Sequence, residues 1–212
     1  MTVNLWSEPE HAQAYLQNRK RIPRRDEGYR ALLEFLPDQT YRVLDLGCGD
    51  GEVFGRVLDA RPEATAVAAD FSAEMLGVVR SRFADAGDRV TIVEHDLSEP
   101  LPESWGMFDA VVSGFAIHHV DDDRKRALYT EVFERLRPGG AFLNLEHVAS
   151  PTRELHEAFL ATMGTAPEDD DPSNQLAPVD EQLGWLRGIG FVQVDCHWKW
   201  RELALLAGIR PG

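Results

Sequence analysis

The stretch YRVLDLGCGDG, Tyr41 to Gly51, constrains this chain most: an apolar run of strand character ends in three glycines within five residues. Glycine tolerates positive φ and lets other groups come close to the backbone. A strand, then Gly47, Gly49 and Gly51, then a helix therefore reads as a loop that meets a ligand at a helix N-terminus. The pattern is weak by itself. Its G-x-G-x-G spacing differs from the G-x-G-x-x-G of nicotinamide binders, and Asp45 stands two residues before it. A carboxylate there is poorly placed for a pyrophosphate and well placed for an ammonium group.

The rest of the chain supplies the frame for such a loop. Apolar strand segments RVLDL, TAVAAD, RVTIVEHD, FDAVVSGF and AFLNLEHV alternate with helical segments EVFGRVLDA, AEMLGVVRSRF behind the cap Ser72, and DRKRALYTEVFERL, with RPGG as a turn. Continuous apolar strands alternating with helices imply a parallel sheet covered on both faces. Ahead of them, SEPEHAQAYLQNRK reads as a helix capped by Ser7, and Tyr29, Leu32, Leu33 and Leu36 form a core-facing helical stripe. After them come a helix in SPTRELHEAFLATMG, the acidic, proline-broken loop TAPEDDDPSNQLAP, and a helix near DEQLGWLRGIG. FVQVDCHWKW and ELALLAGI are joined so tightly that they must form an antiparallel hairpin. Trp198 and Trp200 alternate within it and are expected to build core or a homodimer surface.

With 212 residues and no long linker, a single domain over 1–212 is expected. The net charge of −14 disfavours nucleic acid and anionic membrane as partners, because phosphate binding needs a basic surface. The short run RKRIPRR, Arg19 to Arg25, reads as a solvated helix end and turn. Cys48 and Cys196 make no disulfide framework. No apolar run has membrane-spanning length and no signal-like pattern is present, so a soluble, cytoplasmic protein is expected.

Two further carboxylates complete the pattern. Asp70 ends the second strand, nineteen residues past Gly51, where a carboxylate takes the hydroxyls of a ribose, and Asp96 ends the third. A ligand with an amine, a ribose and an amino-bearing base but no phosphates suits these three acids, and S-adenosylmethionine fits. The motifs VLDLGCGDG, AADFSAEML, VEHDL, FDAVVSGFAIHHV and LRPGGAFLNLEH, in this order, resemble those of class I S-adenosylmethionine-dependent methyltransferases.

The resemblance implies an α/β, Rossmann-like, doubly wound, mostly parallel seven-stranded sheet with a C-terminal antiparallel hairpin. It also implies an N-terminal helical lid over residues 1–38 and a substrate-covering insertion over 150–179. Asp45, Gly47 and Gly49 would line the methionine end of the cofactor and Asp70 its ribose. Phe71 and Met75 would flank the adenine, Asp96 and Leu97 would read its amino group, and Ser113 would join this set. Tyr15 and Arg19, one turn apart, would contact the methionine carboxylate; the other reading is a surface ion pair with an aromatic staple.

The implied activity is methyl transfer to a small-molecule acceptor through oxygen or nitrogen. The alternatives are a carboxy-S-adenosylmethionine synthase-like enzyme or a non-catalytic S-adenosylmethionine-binding module. In open α/β sheets substrates lie beyond the strands' carboxyl ends, where AIHHV and NLEHV place His118, His119, Glu146 and His147. His147 or His119 is the expected base, oriented by Glu146, with His156 arriving from the covering helix. Activity would then rise with pH through the ordinary imidazole pKa of ~6.5, moved upward by the carboxylate. A metal bound by these residues is the competing reading, but no short ligand spacing supports it, so none is expected. Leu155, Phe159, Leu160 and Met163 are expected to make the pocket partly apolar.

Overall fold

The computed structural model describes residues 22–212. The Ser7-capped helix, Tyr15 and Arg19 lie outside the described residues. Helix α1 (Arg25–Glu34) precedes five strands and three helices: β1 (Arg42–Leu46), α2 (Glu52–Ala60), β2 (Thr65–Asp70), α3 (Ala73–Arg82), β3 (Val90–Glu94), β4 (Phe108–Gly114), α4 (Asp122–Arg135) and β5 (Leu136–His147). Then follow α5 (Arg153–Met163), α6 (Val179–Ile189), β6 (Val192–Trp200) and β7 (Leu203–Ile209). The seven strands lie in the order β3-β2-β1-β4-β5-β7-β6. Pairing is parallel from β3 to β5 and antiparallel for β5–β7 and β6–β7. The expected doubly wound sheet and terminal hairpin are both present.

Alternation along the inner strands explains the two covered faces. Val43, Ala110, Leu143 and Leu205 join the core under α1, α2 and α3, with Tyr29, Leu32, Phe54 and Leu76. Leu44, Val111, Phe142 and Leu206 point the other way, toward Leu128, Val132 and Leu186 of α4 and α6. The Ser72 hydroxyl caps α3 by accepting the Met75 N–H. One expectation changes form: RPGG does not interrupt β5 but bulges from it, so the pairing steps from Phe108–Leu136 to Ala110–Ala141. Gly140 explains the tolerance, since a Cβ there would sit 2.9 Å from the Arg137 carbonyl oxygen. Trp198 packs against the core beside α1, and Trp200 joins a smaller cluster with Phe159 and Leu203.

The β6–β7 turn holds Glu202, a fully buried carboxylate. His147 Nε2 lies 2.9 Å from its Oε2, His156 Nδ1 lies 3.0 Å from its Oε1, and the Ser150 hydroxyl donates to Oε1. His156 Nε2 also lies 3.3 Å from Asp170. One acid therefore fastens the end of β5, helix α5 and the acidic loop to the hairpin. Burial alone would raise the Glu202 pKa, but the bonds from His147, Ser150 and His156 outweigh it and hold the carboxyl low. Burial would lower His156, yet its bond to Glu202 and the charges of Glu202 and Asp170 raise it.

These shifts fix the pH dependence of the clamp. A raised histidine stabilises below its unfolded pKa of about 6.5, and that stability is lost as pH rises through the folded value. A lowered glutamate stabilises above about 4.3 and loses that contribution as pH falls through its folded value. The melting-temperature difference between wild type and His156→Gln should therefore be largest near pH 5–6 and shrink above about pH 7. Glu202→Ala, which strips the partner from two histidines, should cost on the order of 3 kcal/mol in denaturant unfolding.

Candidate active site

The glycine loop after β1 runs at positive φ at Gly47 (65°), Gly49 (52°) and Gly51 (78°). Beyond it opens a cavity of about 440 Å³ at the carboxyl ends of the strands. The two leading glycines serve different purposes. A Cβ on Gly47 would lie 2.2 Å from the Cβ of Ala116, so its absence lets the loops after β1 and β4 touch. A Cβ on Gly49 would meet no protein atom within 4 Å, because it would point into open space. Asp70 ties the loop down: Oδ2 accepts the Gly49 N–H at 2.8 Å and Oδ1 the Ser72 N–H at 2.9 Å.

Most of the residues expected to hold a cofactor are brought together here. Gly47, Gly49, Asp70, Phe71, Met75, Asp96 and Leu97 all line the cavity. Asp45 does not line it and lies buried at the end of β1. Its Oδ2 accepts the Phe54 N–H at 3.1 Å, and its Oδ1 is buried with no hydrogen-bond partner. Ser113 is also set apart: it is fully buried and its hydroxyl donates to the Leu46 carbonyl at 2.8 Å, joining β4 to β1.

Other lining residues went unread in the sequence. Arg25 belongs to the run read as solvated, yet it lines the cavity, its guanidinium 5.4 Å from the Tyr29 ring and 5.1 Å from the Phe115 ring. Tyr29 follows the helical stripe into the core and also reaches the cavity, which the stripe alone could not reveal. Arg124 donates to the carbonyls of Leu97 and Glu99 and pairs with Glu131, fixing the turn that carries Asp96.

The histidines depart furthest from expectation. Glu146 orients neither His147 nor His119; its Oε1 lies 2.6 Å from Nδ1 of buried His118. Adjacent strand residues point to opposite faces, so His147 turns away to Glu202 and offers Glu146 only its backbone N–H. Neither Glu146 nor His147 lines the cavity, and α5 contributes no wall. Instead Phe159 and Leu160 pack on Leu203, with Met163 against them, while Leu155 is exposed.

His119 does line the cavity, beside Ser173 and Gln175 of the covering loop. Burial, reinforced by the adjacent His118, pushes its pKa down to about 3, opposite to the expected upward shift. Its imidazole is neutral across the physiological range. Among the described residues, no group of three or more histidine, cysteine, aspartate or glutamate side chains is arranged to hold a metal ion. Among them too, no helix is long and apolar enough to cross a membrane.

Comparison with known proteins places this geometry. A family model described as "Methyltransferase domain" matches residues 43–140, the span from β1 to the β5 bulge. The chain is 32% identical over 187 residues to a demethylmenaquinone methyltransferase of Clavibacter sepedonicus, covering 80% of this chain and 74% of that one. It is 31% identical over 150 residues to a ribosomal RNA small subunit methyltransferase C of Shewanella loihica, of which it spans only 43%. A solved O-methyltransferase family protein from Burkholderia thailandensis superposes with a TM-score of 0.73 at 20% identity, covering 98% of this chain and 62% of that one.

Two outcomes are expected at the loop. Burial, with a smaller contribution from Asp70, raises the Asp45 carboxyl to about 7 against the opposing Phe54 N–H. Below that pH the group is neutral, so calorimetric affinity for S-adenosylmethionine should rise between about pH 6 and 8, and Asp45→Asn should flatten the rise. Gly49→Ala should lower that affinity far more than the melting temperature, the φ strain costing only about 1–2 kcal/mol. Gly47→Ala should lower both the melting temperature and the affinity, because its clash is between the two loops that wall the cavity.

Proposed function

The chain belongs to the class I S-adenosylmethionine-dependent methyltransferases, and on that premise we propose that it methylates a small, partly apolar acceptor through an acidic hydroxyl on an aromatic or quinol ring. The observation that carries this reading is the two-sided cavity. One side offers Gly49, Asp70, Met75 and Asp96; the other offers Phe115, Ala116 and Val120, with the neutral imidazole of His119 at its edge. The similarity to a demethylmenaquinone methyltransferase supports a ring of quinol type. The net charge of −14 weighs against RNA as the acceptor.

The residues present fit the cofactor. Asp70 spends one lone pair of each carboxylate oxygen on a backbone N–H and retains others for a ribose diol. Asp96 accepts the Ser98 N–H through Oδ1, leaving Oδ2 for a donor on the base. The unpartnered Oδ1 of Asp45 lies under the loop and brings negative charge there above about pH 7, and the missing Cβ of Gly49 leaves room above it. Bound S-adenosylmethionine supplies an electrophilic methyl on a sulfonium that leaves as a neutral thioether.

The protein's part is to align the acceptor and exclude water, for which proximity provides ~7–11 kcal/mol, and to accept the hydroxyl proton. A phenolate is nucleophilic at oxygen and at the adjacent ring carbon. Methylation at carbon is thus the second reading, favoured by the same demethylmenaquinone relative.

The test uses 1,4-naphthohydroquinone with labelled S-adenosylmethionine. Acceptor-dependent formation of S-adenosylhomocysteine and of a monomethylated ring is expected, and mass spectrometry with NMR would locate the methyl. Turnover on RNA with none on hydroxylated rings would overturn the proposal. Asp70→Ala should weaken S-adenosylmethionine binding by roughly 1.5–3 kcal/mol, the usual loss for hydrogen bonds to a charged group.

A further inference from the structure

The covering loop gathers three residues at the cavity edge that no sequence pattern groups. Ser173 is buried, and its Oγ lies 2.7 Å from Asp171 Oδ1 and 3.1 Å from His119 Nδ1. Asp171 Oδ1 also accepts the Ser173 backbone N–H at 2.8 Å. Backbone contacts hold the arrangement in place: the Gln175 N–H donates to the His118 carbonyl, and the Gln175 amide donates to the His119 carbonyl.

Proton positions follow from donor and acceptor inventory. A carboxylate only accepts, so the single hydroxyl hydrogen of Ser173 points to Asp171. The Oγ then presents a lone pair to His119, which requires Nδ1 to carry the hydrogen. A neutral imidazole holds one hydrogen, so Nε2 carries the lone pair.

Building on the methyl-transfer reading above, we propose that Ser173 and Asp171 are positioning residues that hold His119 in its Nδ1–H tautomer and pass on the acceptor's proton. The hydroxyl proton moves to Nε2 while the Nδ1 proton moves to Ser173 Oγ, and the original Ser173 hydrogen moves to Asp171 Oδ1. One proton enters at Nε2 and one arrives on Asp171, a half-buried carboxylate that releases it to solvent. The oxygen keeps the electron pair that attacks the methyl, and exchange with water restores the starting tautomer. His119 never becomes an imidazolium, the form that its burial and its neighbour His118 make costly. Glu146 takes no part, being committed to His118.

The tautomer is read without substrate, from the ring ¹⁵N shifts of His119 in the folded wild type, assigned against His119→Gln. A neutral Nδ1–H ring is expected, and Ser173→Ala should lose that preference while Ser173→Thr keeps it. With 1,4-naphthohydroquinone, Ser173→Ala should lower kcat roughly tenfold to a hundredfold without changing S-adenosylmethionine affinity, and Ser173→Thr should recover most of it. Asp171→Asn should keep the tautomer but lower kcat, since an amide accepts the hydrogen bond but not the proton. An Nε2–H ring in the wild type, or wild-type kcat in both Ser173→Ala and Asp171→Asn, would overturn the relay. Absence of turnover on the hydroquinone together with an Nδ1–H ring that depends on Ser173 would count against the acceptor class and support the positioning.

Discussion

The approach of Gly47 to Ala116 is the contact on which the site depends. The sheet order reverses between β1 and β4, so their following loops diverge to opposite faces and leave a crevice between them. That crevice becomes a walled cavity only because the two loops touch, and they touch only because position 47 has no side chain. Asp70 completes the arrangement from the next strand by holding the Gly49 N–H. Three neighbouring strand ends are thus locked at backbone level before any side chain addresses a ligand.

Behind the cavity, buried polarity is divided between two carboxylates. Glu146 takes His118 and the Asn144 amide, and Asn144 in turn bonds the Tyr129 hydroxyl, which donates to Gln182 of α6. Glu202 takes His147, His156 and Ser150. A buried charge without partners would be severely destabilising, so each acid specifies which elements pack around it. The first joins the sheet to α4 and α6; the second joins the hairpin to α5. His119 bonds neither acid in this network, and its partner comes from the covering loop.

What was legible in the sequence was local. Helices α2 and α3 and their strands follow from apolar periodicity and capping, and Gly49, Asp70 and Asp96 are read from their distance to strand ends. Asp171 and Ser173 were unreadable because their partner lies more than fifty residues away, joined through a loop whose path no period dictates. Glu146 shows the same limit more sharply. Adjacency to His147 suggested a pair, but alternation along β5 sends the two side chains to opposite faces, and the true partner, His118, stands in the turn that follows β4. Arg25 was misread for a related reason: a basic run looks solvated until a cavity forms beside it.

The charge balance of the cavity wall has a bearing on turnover. Among the described residues, Asp50, Glu52, Asp70, Asp96 and Asp121 line it with Arg25 and Arg124, while Arg82 and Arg56 behind the wall pair with Asp50 and Glu52, so carboxylates still outnumber guanidinium groups. Such a wall holds a sulfonium more firmly than the uncharged thioether that replaces it once the methyl is gone. The Coulomb attraction that these carboxylates exert on a sulfonium thus has no counterpart for the thioether, so the wall itself distinguishes the two by charge.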